Sequence, residues 1–116
     1  MLKQTSSFTQ TACPDGIEIT LHGEIDHHSA VQLRVDLDRL LCAVRPKCLW
    51  LNLSAVDFMD SSGLGLILGR MNLMQELGGS MILRSPGARI AKILHLAGLE
   101  RLITIEDEKK TAGGSH

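Results

Sequence analysis

Apolar and polar residues alternate over Ile17-Glu18-Ile19-Thr20-Leu21, and that period of two predicts a half-buried strand. Residues 6–11 before it are polar and weakly alternating, as an edge strand is. Pro14-Asp15-Gly16 lies between them. Proline sets φ for a turn and glycine permits a positive φ, so the two segments predict a hairpin. The period then changes. Ala30, Leu33, Leu37, Leu40, Leu41 and Val44 recur at helical spacing. Asp26 or Ser29 can cap this helix, because either side-chain oxygen can accept an orphan N–H of the first turn. Pro46 marks its end.

Cys48-Leu49-Trp50-Leu51-Asn52-Leu53 is almost continuously apolar, which predicts a strand buried on both faces of a parallel sheet. Residues 54–60 read as a loop. A second helix begins near Ser61, with a stripe of Leu64, Ile67, Leu68, Met71 and Met74, and Gly78-Gly79 ends it. Met81-Ile82-Leu83 predicts a short buried strand. Ser85-Pro86 predicts the start of a third helix, with its apolar face at Ile90, Ala91, Leu94 and Ala97 and its close at Gly98. Leu102-Ile103-Thr104-Ile105 predicts the last strand, and from Glu106 onward the chain reads as a frayed tail. The order is β-β-α-β-α-β-α-β. Strands separated by single helices imply parallel pairs with right-handed crossovers. The expected fold class is α/β: one domain over residues 1–116, core about 9–105, with a mixed, mostly parallel sheet and packed helices.

Composition narrows the function classes. The 116 residues are 44% hydrophobic and 22% charged, ordinary for one globular domain and unlike a disordered chain. No apolar run approaches the roughly 20 residues that cross a bilayer, and the N-terminus lacks the apolar segment of a signal peptide. The expectation is a soluble, cytoplasmic protein. A net charge of −1 leaves no electrostatic footprint for nucleic acid. Phe8, Trp50 and Phe58 are too few aromatics for a base-stacking platform. Cys13, Cys42 and Cys48 match no zinc spacing and read as free buried thiols.

Three kinds of chemistry can be tested against the residues. Glu24, Asp26, His27 and His28 are potential metal ligands, but adjacent histidines do not usually converge on one ion, and no distant ligand cluster accompanies them. A polar loop and helix cap is the better reading of them. Ser61-Ser62-Gly63 sits at a strand–helix junction, yet Met59 stands where a nucleophile elbow requires glycine. No Gly-Lys pair exists, so Gly63, Gly65 and Gly69 are not a phosphate-binding P-loop. Gly65 and Gly69 share one helix face. Each glycine in a helix costs about 1 kcal/mol against alanine, which points to a face kept smooth for packing or for a partner. Phe58 and Met59 either anchor their segment or form an exposed patch. Ser61 falls at or next to a helix N-cap, where its hydroxyl accepts a backbone N–H. A phosphate there is the alternative: it adds about −1.5 to −2 charges, is tolerated by the helix N-terminus and is opposed by Asp60. Residue chemistry alone does not separate Ser61 from Ser62.

The segment Phe58-Met59-Asp60-Ser61-Ser62-Gly63-Leu64-Gly65-Leu66-Ile67-Leu68-Gly69-Arg70 resembles the signature of the anti-sigma-factor antagonists, the STAS-domain family. Gly23-Glu24-Ile25-Asp26-His27-His28-Ser29-Ala30 resembles that family's second signature. The pair, at this spacing, is most similar to the anti-anti-sigma factors of the sigma-F sporulation switch, and the similarity runs from about Thr9 to Ile105. It implies a partner switch with no catalysis, cofactor or metal in this chain. The unphosphorylated form would bind an anti-sigma factor that is also a serine kinase, releasing a sigma factor. The kinase would phosphorylate Ser61, and a PP2C-type phosphatase would reset it. Asp26, Asp60, Ser62, Gly63 and Leu64 would border the interface, with Gly63 and Gly65 admitting a partner's backbone. A STAS scaffold or ligand-binding module outside sporulation is the alternative.

Overall fold

The computed structural model describes residues 6–107. The hairpin forms as expected: β1 (Ser6–Cys13) and β2 (Gly16–Ile25) pair antiparallel in unbroken register from Ser6↔Gly23 to Cys13↔Gly16. The chain continues through α1 (His27–Val44), β3 (Cys48–Met59), α2 (Ser61–Glu76), β4 (Ser80–Arg84), α3 (Ala88–Leu96), a 3₁₀ turn at Leu99–Arg101 and β5 (Thr104–Glu106). The five strands lie in the order β1-β2-β3-β4-β5, and every pair after the hairpin is parallel.

One core cluster joins Ile17, Ile19 and Leu21 of β2, Leu49, Leu51 and Leu53 of β3, and Met81 and Leu83 of β4 to side chains of all three helices. Alternate strand residues point to opposite faces, so the helices cover one face of the sheet. β3 is therefore not buried on both faces. Trp50 is only half-buried, and a polar network crosses the bare face beside it. Glu18 Oε2 accepts from Asn52 Nδ2 at 2.9 Å and from Arg84 Nη1 at 3.3 Å. Arg84 Nε and Nη2 donate to Glu106 Oε1 at 3.3 and 3.2 Å, and the guanidinium lies 5.4 Å from the Trp50 ring centre. Burial pulls the Arg84 guanidinium down, but its contacts with Glu106 and Glu18 together leave its pKa above the usual value.

Residues 54–59 are strand, not loop. β3 carries two more residues than β2 between the pairs Thr20↔Asn52 and Ile25↔Met59, with register shifts between Thr20 and His22 and between Gly23 and Glu24. Asn52 Oδ1 accepts the Ser54 N–H at 2.8 Å where the ladder is interrupted. Each extra residue resets which face the next side chain takes. Leu53, Val56 and Met59 are all buried although three residues apart, a spacing that hides the strand from any search for a period of two.

α1 ends at Arg45, whose φ of 51° lies in the left-handed region and whose N–H donates to the Leu41 carbonyl. α2 ends as predicted, with Gly78 at a φ of 83°. α3 starts at Ala88, not at Ser85-Pro86. The Ser85 N–H donates to the Glu106 carbonyl at 2.7 Å, and that residue's φ is 56°, so its backbone belongs to the end of the sheet. The last strand starts at Thr104, because Leu102 and Ile103 still donate back to the Leu99 carbonyl. Glu106, placed in the tail by its charge, is part of β5. The rest of that tail beyond Asp107 lies outside the described residues. The three cysteines are free, but Cys42 is exposed and Cys13 and Cys48 are only part-buried.

Candidate functional site

Parallel strands followed by helices bring the helix starts to one rim, the C-terminal end of the sheet. The register pair Ile25↔Met59 places the ends of β2 and β3 side by side. The Asp60 N–H donates to the Ile25 carbonyl at 3.2 Å, tying the start of α2 to the end of β2. Asp26 and Asp60 therefore flank the same short stretch of rim.

Asp26 caps α1 through a reciprocal box. Asp26 Oδ1 accepts the Ser29 N–H at 2.9 Å, and Ser29 Oγ accepts the Asp26 N–H at 3.1 Å. The Ser29 hydroxyl also donates to the Glu24 carbonyl at 3.1 Å. Asp26 and Ser29, alternatives in the sequence, act together. The Ser29 backbone N–H is the largest influence holding the Asp26 carboxyl below its usual pKa.

At α2 the cap is Asp60. Its Oδ1 accepts the Ser62 N–H at 2.8 Å, and its carbonyl accepts the Gly63 N–H at 2.9 Å. The capping role expected of Ser61 is therefore taken by its neighbour. Ser61 is the first residue of the helix, exposed, and its hydroxyl makes no hydrogen bond among the described residues. Ser62 is half-buried and faces α1 across a groove of ≈ 330 Å³ lined by His27, Ala30, Val31, Arg34, Ser62, Gly65 and Leu66. Leu64 is half-buried. Gly63 points inward: a Cβ there would collide with Met59 Cγ. It makes room for the core side chain of Met59. Gly65 is exposed and a Cβ on it would meet nothing within 4 Å, which leaves it as the outward glycine. Phe58 and Met59 divide the two roles open to them, Phe58 being 43% exposed and Met59 buried.

Neither serine hydroxyl is paired with an acid or base among the described residues, so the arrangement offers a hydroxyl to an external reagent without activating it. His27 and His28 are exposed at the start of α1, and among the described residues no three His, Cys, Asp or Glu side chains gather as a metal site would need. In parallel α/β sheets, ligand crevices form where the strand order reverses; here the order runs β1 to β5 without reversal. No helix among the described residues is long and apolar enough to cross a membrane.

Sequence patterns do not foretell the polar network on the bare sheet face. Its one signal is Glu18 within an alternating strand. The inward turn of Gly63 has no signal in the sequence.

Comparison with known proteins places this geometry among relatives. The family model described as "STAS domain" matches residues 9–112. The anti-sigma F factor antagonist of Paenibacillus polymyxa is 34% identical over 94 residues, 81% of this chain and 80% of the relative. The anti-sigma-B factor antagonist of Bacillus subtilis is 35% identical over 98 residues, 84% and 86% of the two chains. Among solved structures, the anti-sigma factor antagonist SpoIIAA in its unphosphorylated form superposes with a TM-score of 0.74 at 29% identity, covering 91% of this chain and 93% of that one. Its phosphorylated form gives 0.67 at 28%, covering 95% and 100%.

Proposed function

This chain belongs to the STAS family, on its anti-sigma-factor-antagonist branch, and from that membership we propose that it is a phosphorylation-controlled partner of an anti-sigma factor of the sigma-F type. In the unphosphorylated state it binds an anti-sigma factor that is also a serine kinase, and a sigma factor is released. Phosphorylation of Ser61 ends that binding, and a PP2C-type phosphatase restores it. The chain acts in the cytoplasm as a binding partner, and ATP is held by the kinase.

The observation that carries this reading is the unused hydroxyl of Ser61. Asp60 has taken the cap, so the Ser61 hydroxyl stands exposed at a fixed point on the rim. Phosphorylation leaves the fold intact because no native hydrogen bond of that hydroxyl is lost. The phosphate meets the N-terminus of α2, which tolerates an anion. Its main effect falls on a bound partner, through desolvation and repulsion beside Asp60 and Asp26. A loss of about 4 kcal/mol weakens a complex roughly a thousandfold.

Asp26, Asp60, Ser62 and Leu64 border the docking surface, with Gly65 as its smooth centre. Gly63 serves it from beneath by seating the helix start on Met59. The sigma-F assignment rests on the paired motifs around Asp26 and Ser61. Intact mass and peptide mapping after incubation with the anti-sigma kinase and ATP test the site. One phosphate on Ser61 is the expected result. A phosphate on Ser62 moves the site by one residue. No phosphate, from a kinase active on another substrate, overturns the switch. Pull-down against sigma-F-type and sigma-B-type anti-sigma factors tests the specificity, with preference for the former expected.

A further inference from the structure

Among the described residues Arg70 is the only charged one that is buried. It sits on α2, and its Nε lies 2.9 Å from Asp38 Oδ1 on α1. The two are in charge contact but not in hydrogen-bond alignment, and Arg70 Nη1 has no hydrogen-bond partner. The Arg70 side chain is 6% exposed and that of Asp38 40%. An ion pair partly withdrawn from water is weak support for stability, since well-packed apolar side chains do as well or better. Its best-attested use is to select one arrangement among several.

α2 needs such a device. Its apolar residues, Leu64, Leu66, Ile67, Leu68, Met71, Leu73 and Met74, surround much of the helix. Gly63 against Met59 holds the first turn; beyond it, burial by itself distinguishes poorly between rotational settings. Among the described residues no other side chain of α2 makes a polar contact outside its own helix turn. The attraction between Arg70 and Asp38 weakens as they separate. Ser61 lies nine residues earlier on the same rigid helix, about 13 Å along the axis at ~1.5 Å per residue. A roll of α2 that broke the pair would swing Ser61 along the rim relative to Asp26.

We propose that Arg70 is a positioning residue for Ser61: its buried contact with Asp38 sets the roll of α2 against α1 and so holds the Ser61 hydroxyl at its place on the rim. The kinetic half of this proposal rests on the reading of Ser61 as phosphoacceptor; the structural half does not.

The test uses Arg70→Met, Arg70→Lys and Asp38→Asn in the full chain, with Leu94→Ala in α3 as a destabilised control. Amide NMR spectra, thermal unfolding and the kcat and KM of Ser61 phosphorylation are measured. In Arg70→Met the amide signals from Ser61 to Gly65 shift or split while those of β1 stay in place, and kcat falls roughly tenfold or more, as expected for a misplaced reacting group. Asp38→Asn moves the same signals less, and Arg70→Lys recovers most of the rate. Should Arg70→Met fail to fold, Asp38→Asn decides by the same readouts. Wild-type amide signals from Ser61 to Gly65 in the folded variants overturn the proposal. So does a loss of rate no larger than that of an equally destabilised Leu94→Ala. If the wild type accepts no phosphate but the amide signals still move, the phosphoacceptor reading fails and the positioning role stands.

Discussion

α1 and α2 begin on one plan and end it differently. Each follows a strand whose last residue is a buried apolar side chain, Ile25 or Met59. Each is capped by an aspartate, Asp26 or Asp60. Three residues past the cap the plans part. α1 has Ser29, whose hydroxyl closes the box and is itself buried. α2 has Gly63, because Met59 packs into the space a side chain there would need. The α1 serine is consumed by the fold. The α2 serines stand one and two residues past the cap, where no box can use them, and the exposed Ser61 hydroxyl is left without a hydrogen bond among the described residues. A serine at a helix start thus becomes structural or available according to its offset from the cap and what packs beneath it.

The largest expected effect bears on availability. Ser61→Asp weakens the complex with the anti-sigma kinase roughly a thousandfold, about 4 kcal/mol, read by titration calorimetry. Undiminished binding would remove Ser61 from the switch. Next is an attempt to erase the difference between the helices. Gly63→Ser supplies the hydroxyl for a second capping box, yet the stability of the chain falls by about 1–3 kcal/mol from overpacking on Met59. Denaturant unfolding checks this, and a stabilised variant would show that Met59 yields easily.

A matched pair of truncations sharpens the contrast. Ser29→Ala loses about 1 kcal/mol, from the hydrogen bonds its hydroxyl makes. Ser61→Ala stays within about 0.5 kcal/mol of wild type, as a surface change should. Equal losses in the two variants would contradict the division of roles. The smallest effect is in pH. Asp26 is held below its usual pKa in the folded chain, so its contribution to stability is complete above the unfolded value of roughly 3.9. It is lost as pH falls through the lower folded value. Acid titration of unfolding in Asp26→Asn should lack that component.

Much of the fold is legible in the amino-acid sequence. Pro14-Asp15-Gly16 marks the hairpin, the spacing from Ala30 to Val44 marks α1, and Gly78-Gly79 marks the end of α2, because turns and helix ends depend on a few residues' own backbone preferences. Asp60-Ser61 stands out only through the resemblance of its surroundings, with the segment from Gly23 to Ala30, to a family's paired signatures; residue chemistry alone reads it as a helix cap. What stays hidden depends on neighbours distant in sequence. The two extra residues of β3 are defined only against β2. The late start of α3 follows from a hydrogen bond between Ser85 and Glu106. The network of Glu18, Asn52, Arg84 and Glu106 joins four strands, and the contact of Arg70 with Asp38 joins two helices.

The order of elements and the buried stripes of α1 and α3, centred on Leu33, Leu37 and Leu41 and on Ile90 and Leu94, were set by the sequence itself, since periodicity and turn chemistry act over a few residues. α2 instead buries Gly63, Leu66, Ile67, Arg70 and Met74, a face turned away from its apolar stripe by the packing around it. The meeting of Asp26 with Asp60 on one rim, the transfer of the cap from Ser61 to Asp60 and the inward turn of Gly63 were decided by tertiary structure. These are outcomes of packing, in which the space left by Met59 and the carbonyl offered by Ile25 determine what each nearby polar group can do.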